Sequence, residues 1–233
     1  MILLRPSAQR GHANHGWLDS HHTFSFGGYH DLEWMGFGPL RVINEDRVAP
    51  GGGFAPHSHA NMEIISYVIE GALQHRDSIG TGSVIRPGDV QRMSAGSGIE
   101  HSEFNASQEE PVHFLQVWIQ PNRLNAVPSY AQEHFSMASR RDVLRLVVSP
   151  DGADGSLSIR QDARIYATEL ASGETVALAL AAARKAWVQV VRGTLRINDD
   201  SLLAAGDGAG ISEQSGLRLR AEADSEALVF DLP

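Results

Sequence analysis

"SYVIEGALQH", residues Ser66 to His75, and "VQVVRGTLRI", residues Val188 to Ile197, carry apolar side chains at matching places and a glycine at the same point, Gly71 against Gly193. A second Gly-Asp turn follows each, "RPGDV" around Gly88 and "AAGDG" around Gly206, so the glycine-to-glycine spacing is 17 residues in the first stretch and 13 in the second. Loops of unequal length between the same strand and turn signals mark an internal repeat, and two homologous β-domains in tandem are the economical explanation.

The rest of the chain agrees with that reading. Short runs rich in Val, Ile, Leu and aromatics recur between glycines: "LRVINEDRV", "EIISYVIEG", "VHFLQVWIQ", "RLVVSP", "SIRQDARIYATEL", "ALVFDL". Such runs have strand length and composition. The best helix candidate, "VALALAAARKAW" from Val176 to Trp187, alternates and runs into a β-branched stretch, so it reads as mostly strand. An all-β protein is expected, with a turn-rich boundary between Pro128 and Asp154 near "SPDGADGS". The domains are expected at 1–135 and 136–233.

Composition excludes several classes of function. The chain has 233 residues, of which 42% are hydrophobic, enough for a proper core. Its formal net charge is -9, and its 19 basic residues are scattered with no cluster to neutralise a run of phosphates, so no nucleic-acid partner is expected. With no cysteine, disulfides, thiolate metal sites and cysteine nucleophiles are out. The apolar run at the N-terminus is too short for a signal peptide, and no stretch approaches the roughly 20 apolar residues that cross a bilayer. No membrane partner is expected, and a cytoplasmic monomer follows by default.

Histidine is distributed unevenly. All 11 histidines lie in the first 134 residues and none in the last 99. Imidazole chemistry therefore belongs to the leading domain. In "APHSHANMEII", Ala55 to Ile65, His57 and His59 stand two apart after three glycines. Residues two apart in an extended chain point the same way, so both imidazoles can reach one ion. A lone His-X-His is as well explained by exposed or hydrogen-bonded side chains. "SAGSGIEHSEFN", however, offers a second pair with the same spacing after another glycine-rich turn, His101 and Glu103. Three neutral imidazoles and one carboxylate suit a divalent first-row transition metal and leave positions open for water or substrate.

These motifs also carry a resemblance. Gly51, the His57-Ser58-His59 run, Gly71 and "GDVQRMSAGSGIEHSEFN" resemble the two sequence motifs of the cupin superfamily. "HTFSFGGYHD", "MGFGPLRVINED", "HSHANMEIISYVIEG" and "MSAGSGIEHSEFN" resemble, more narrowly, the pirin family of two-domain cupins. The resemblance spans nearly the whole chain and includes "DGSLSIRQDARIYA" in the second domain. It implies two facing cupin barrels of jelly-roll type and one divalent metal in the leading barrel, held by His57, His59, His101 and Glu103. Iron is foremost, with Mn, Ni, Co, Cu and Zn as alternatives. The general cupin pattern takes its carboxylate a few residues after the second histidine, where Glu63 stands one place early. A one-residue shift turns a strand side chain to the opposite face. Glu63 is therefore expected to orient a bound histidine rather than to ligate, or else to be a surface carboxylate.

The second domain serves as an internal control. Counting from Gly193 and Gly206 places Ala179 and Ala181 opposite His57 and His59, and Leu219 and Ala221 opposite His101 and Glu103. The copy is thus expected to keep the barrel and lack the ion. His21 and His22 with Phe24, Phe26, Trp34, Met35 and Phe37 either line a pocket mouth or belong to the core. No role is assigned to His12, His15, His30, His75, His113 or His134.

The resemblance implies quercetin 2,3-dioxygenase activity. A flavonol would chelate through its 3-hydroxyl and 4-carbonyl, lose a proton to Glu103 acting as ligand and general base, and react with dioxygen. Two other functions stay open: a metal- or redox-dependent regulator that docks a protein partner, and a cupin-type isomerase or hydrolase of sugar-like substrates.

Overall fold

The computed structural model describes residues 1–233 throughout. In chain order its strands are β1 (Ile2–Arg5), β2 (Gly11–Asn14), β3 (Leu18–His22), β4 (Leu40–Val48), β5 (Gly53–His59), β6 (Glu63–Glu70), β7 (Leu73–Asp77), β8 (Gly82–Ile85), β9 (Asp89–Ser94), β10 (Ile99–Asn105), β11 (Val112–Ile119) and β12 (Ser129–His134). There follow β13 (Arg145–Ser149), β14 (Leu157–Ser158), β15 (Arg164–Leu170), β16 (Thr175–Ala179), β17 (Lys185–Arg192), β18 (Thr194–Ile197), β19 (Ser201–Ala204), β20 (Gly208–Ile211), β21 (Gly216–Ala221) and β22 (Ser225–Leu232). The fold is two cupin-type barrels, nearly all β. The ambiguous alanine-rich stretch is strand, turn and strand, β16 leading into β17. No helix is long and apolar enough to cross a membrane.

Each barrel consists of a seven-stranded and a four-stranded sheet. The larger sheets run β12-β9-β6-β11-β4-β3-β2 and β1-β20-β17-β22-β15-β13-β14, and the smaller ones β5-β10-β7-β8 and β16-β21-β18-β19. The repeat read from sequence is visible strand by strand: β6, β9, β11 and β4 match β17, β20, β22 and β15 in order. Gly71 (φ 75°) and Gly193 (φ 78°) make the matching turns in left-handed conformation.

The chain divides into a unit of Gly11–His134 with Ile159–Gln161, and a unit of Met1–Arg10, Phe135–Ser158 and Asp162–Pro233. Residues 1–10, grouped with the leading barrel in the sequence reading, therefore need correction. β1 pairs antiparallel with β20, from Ile2 opposite Ile211 to Arg5 opposite Gly208. In the leading barrel the equivalent place beside β9 is taken by β12. A four-residue strand carries no signal of which sheet edge it completes.

The two interiors differ in chemistry. The second barrel holds one continuous apolar cluster, including Val188, Leu195, Ile197, Leu217, Leu219 and Val229. The leading barrel holds two smaller ones: Leu18, Val48, Val68, Leu73, Ile85, Val112 and Phe114 in one, and Ile64, Met93, Ala95 and Ile99 with Trp118 against them in the other. Between these lies a polar row. His22, Asn44, Gln116, Ser66, Gln91 and Gln132 are successive cross-strand partners on β3, β4, β11, β6, β9 and β12, so all six share one face. At the matching positions the second barrel has Tyr166, Val229, Val188 and Ala209.

Candidate metal centre

β5 and β10 are antiparallel neighbours, with His57 opposite His101 and His59 opposite Ile99. That register brings three imidazoles together from two strands. The ring centroids of His57 and His59 are 4.8 Å apart, those of His57 and His101 4.5 Å, and those of His59 and His101 4.9 Å. One ligand nitrogen of each lies within 4.8 Å of the other two. The register slips between His101 and Glu103, where a bulge sets Glu103 opposite Phe54. Glu103 groups with His101 and His75, ligand atoms again within 4.8 Å. His101 thus belongs to both groups.

The hydrogen bonds leave lone pairs where an ion would need them. His57 Nδ1 donates to the Ala55 carbonyl at 2.8 Å, which leaves Nε2 as the acceptor nitrogen. His59 Nε2 and His101 Nε2 are buried and have no hydrogen-bond partner. Burial, reinforced by the neighbouring His57, lowers the pKa of His59 to about 4. Burial together with His57, His59 and His75 lowers that of His101 to about 3. Both rings are neutral at pH 7, the form that ligates. Two buried, neutral, unpartnered nitrogens beside a third imidazole fit a transition cation, so the donor set passes the test of its own chemistry.

Glu103 is 1% exposed. Burial raises its pKa to about 7 against the opposing hydrogen bonds of Gln116 and Ser66. Gln116 Nε2 donates to Glu103 Oε2 at 2.6 Å, and the Ser66 hydroxyl donates to Oε1 at 3.3 Å. Trp118 Nε1 donates to Gln116 Oε1 at 3.1 Å, which fixes the amide the right way round. Trp118 also meets the His59 ring edge-on at 4.9 Å and the Phe26 ring at 5.4 Å. Phe26 and Trp118 therefore form an aromatic wall beside the imidazoles. Phe24 and Trp34, at 1% and 8% exposure, are core.

Sequence reasoning missed three residues. His75 is fully buried, with its Nε2 3.0 Å from Asp77 Oδ2, its Nδ1 3.5 Å from His101 Nδ1, and its ring stacked on Tyr130 at 4.8 Å. Its signal was the two-apart pair His75 and Asp77, the same spacing that flagged the others. Gln116 and Ser66 gave no signal, because an amide and a hydroxyl in apolar strands show their purpose only once the register is known.

Glu63 needs correction. It is 1% exposed, hence no surface carboxylate, and it orients no histidine. Its Oε2 accepts from the Ser94 hydroxyl at 2.6 Å, and its Oε1 lies 3.8 Å from Arg160 Nη1. Ser66, three residues on, faces the barrel interior, so the alternation of β6 sends Glu63 to the other face. The counterparts in the second barrel also shift. Ala179 pairs with Gly216 at the strand end, and Ala179 and Ala181 are exposed. The inward positions are Leu178 and Leu180, with Leu217, which stands opposite Leu178, and Leu219 in the places the count gave to Leu219 and Ala221. Unequal loops defeated the count by one and two residues. The conclusion that the positions are apolar stands.

Comparison with known proteins adds three findings. A family model described as Pirin matches residues 4–119, and one described as Quercetinase C-terminal cupin domain matches residues 146–232. The chain is 46% identical over 233 residues to a protein of Escherichia coli strain K12 named quercetin 2,3-dioxygenase, covering 100% of this chain and 99% of that one. It is 40% identical to a pirin-like protein of Caulobacter vibrioides, covering 99% of each. Among solved structures, that of the bacterial pirin YhhW from Escherichia coli in complex with nickel(II) matches with a TM-score of 0.94 and 46% identity over 100% of this chain and 99% of that one.

Proposed function

Because the chain belongs to the pirin family, we propose that it is a metal-dependent dioxygenase that opens flavonols such as quercetin, with His57, His59, His101 and Glu103 as the ligands of one divalent transition ion. The observation that carries this reading is the pair of buried, unpartnered nitrogens, His59 Nε2 and His101 Nε2, beside His57. The relatives named quercetin 2,3-dioxygenase and the nickel(II) complex of YhhW support the reaction class and the kind of ion.

When bound, such an ion supplies Lewis-acid polarisation of the flavonol oxygens and a path for electrons to dioxygen. The chain's own residues do the rest. Glu103, a buried carboxyl grouped with His101, takes the proton of the flavonol 3-hydroxyl. Gln116 and Ser66 hold the carboxylate in place through its two oxygens. Trp118 and Phe26 offer flat apolar faces to an aromatic substrate and keep water from its rings.

The test is aerobic incubation of the protein, reconstituted in turn with Fe, Mn, Ni, Co and Cu, with quercetin, following loss of its near-visible absorbance. Turnover is expected in the wild type, and His57→Ala is expected to fall to the level of metal-free protein. Absence of turnover with every ion would refute the substrate class, and wild-type activity in His57→Ala would refute the ligand set.

A further inference from the structure

The β2–β3 hairpin gathers a second set of ligating side chains, on the sheet face opposite the polar row. His12 stands directly across from His21, and Asp19 lies two residues before His21 on the same strand and face. One ligand atom of each of these three residues lies within 4.8 Å of the other two. His12 Nε2 is 2.5 Å from Asp19 Oδ1, and the His12 and His21 rings stack with centroids 4.5 Å apart and planes 21° from parallel.

We propose that His12, Asp19 and His21 form a second metal site, one that takes a late first-row divalent ion of the zinc, copper or nickel kind. Two imidazoles and one carboxylate are the borderline donor set such ions prefer, and they leave a fourth position for water. The spacing logic is that of His57 and His59, two side chains at i and i+2 on one strand, completed here by a cross-strand partner. Solvent reaches the cluster, since the His12 side chain is 52% exposed and that of Asp19 38%. The neighbours on β4 are Glu45, opposite His21, and Arg47, opposite Asp19. Arg47 Nη1 lies 3.3 Å from Glu45 Oε1, which His113 Nε2 also approaches at 2.9 Å, so Arg47 pairs with Glu45 while Asp19 pairs with His12.

The site has a mechanical consequence. β2 is the last strand of its sheet and pairs with β3 alone. An ion bridging His12 to Asp19 and His21 staples that edge strand to its neighbour, across the Asn14 to Trp17 turn.

Equilibrium dialysis of chelator-stripped, full-length protein against Zn²⁺, with metal measured by elemental analysis, tests the proposal. His12→Ala and Asp19→Asn are each expected to hold one zinc fewer per chain than the wild type, with turnover at the barrel site unchanged. In a His59→Ala background, which impairs the barrel site, His12→Ala should remove the zinc that remains. Zinc should also slow amide exchange across residues 11–22 in the wild type and not in His12→Ala. If both hairpin variants hold as much zinc as the wild type, His12 and Asp19 form an ordinary ion pair and the proposal is wrong. That result leaves the barrel reading untouched, because the barrel reading is tested by quercetin turnover and by variants of the barrel ligands.

Discussion

A carboxyl group sealed among neutral imidazoles keeps its proton to about pH 7, and this makes Glu103 the residue through which acid reaches the site. Its folded-state pKa is raised above the ordinary value of 4.5, so the protonated form is the one the metal-free fold prefers. The stability this group contributes is full below about pH 4.5 and is lost as pH rises through 7. A cation held by Glu103 would reverse the preference, because a ligating carboxylate must be ionised. At pH 6 Glu103 is mostly protonated before metal binding and ionised after it, so loading should expel close to one proton from this residue. Calorimetric metal titration at pH 6 in buffers of different ionisation enthalpy measures the count. Glu103→Gln should release about one proton fewer than the wild type, and the difference should vanish at pH 8.5, where the wild-type carboxyl is already ionised. An equal count in both proteins at pH 6 would remove Glu103 from the ligand set.

At the scale of strands, the glycine turns are what the sequence makes most legible, and the structure shows why they cannot vary. Gly71 and Gly193 both need positive φ, and a Cβ at Gly71 would stand 2.6 Å from the Pro111 carbonyl oxygen, while one at Gly193 would collide with that of Asp224. Gly80, also left-handed, has nothing within 4 Å of its would-be Cβ. Gly193→Ala is therefore expected to cost about 3 kcal/mol in thermal or chemical unfolding, and Gly80→Ala about 1 kcal/mol, since only the first adds a clash with backbone to the strain. Equal losses would show that dihedral strain alone sets the penalty. Strands, turns and the histidine pairs could be read because they rest on local periodicity and on which residue types tolerate which backbone. Register could not. The count that put Ala179 and Ala181 opposite His57 and His59 failed on a single loop residue, and β1 gave no hint that it borders β20. Gln116 and Ser66 became readable only when cross-strand pairing set them beneath Glu103.

Across the whole chain, one scaffold appears twice with opposite interiors, and the comparison separates what closes a barrel from what binds an ion. Where the leading barrel sets Ser66, Gln91 and Gln116 in a row, the second sets Val188, Ala209 and Val229, and its apolar cluster runs unbroken through that level. The sheets therefore close by packing alone, and the leading barrel has given up part of its apolar core to a polar layer that a bound cation would complete. Buried groups such as His59 Nε2, His101 Nε2 and the Gln91 amide have no partner there, and each costs about 1–3 kcal/mol while it stays so. Chelation should accordingly abolish turnover without unfolding either barrel, leaving far-ultraviolet circular dichroism unchanged. It should also lower the leading barrel's stability selectively. At free metal a hundredfold above the dissociation constant, binding adds about 2.7 kcal/mol to a fold that binds and an unfolded chain that does not. Amide exchange followed by mass spectrometry with and without metal reads this by segment. β5, β6, β10 and β11 should gain protection on loading, while β16, β17, β21 and β22 should exchange at the same rate in both states. Protection that rises equally in the two sets would mean that the barrels unfold as one cooperative body, and that the polar layer is not a local weakness the ion repairs.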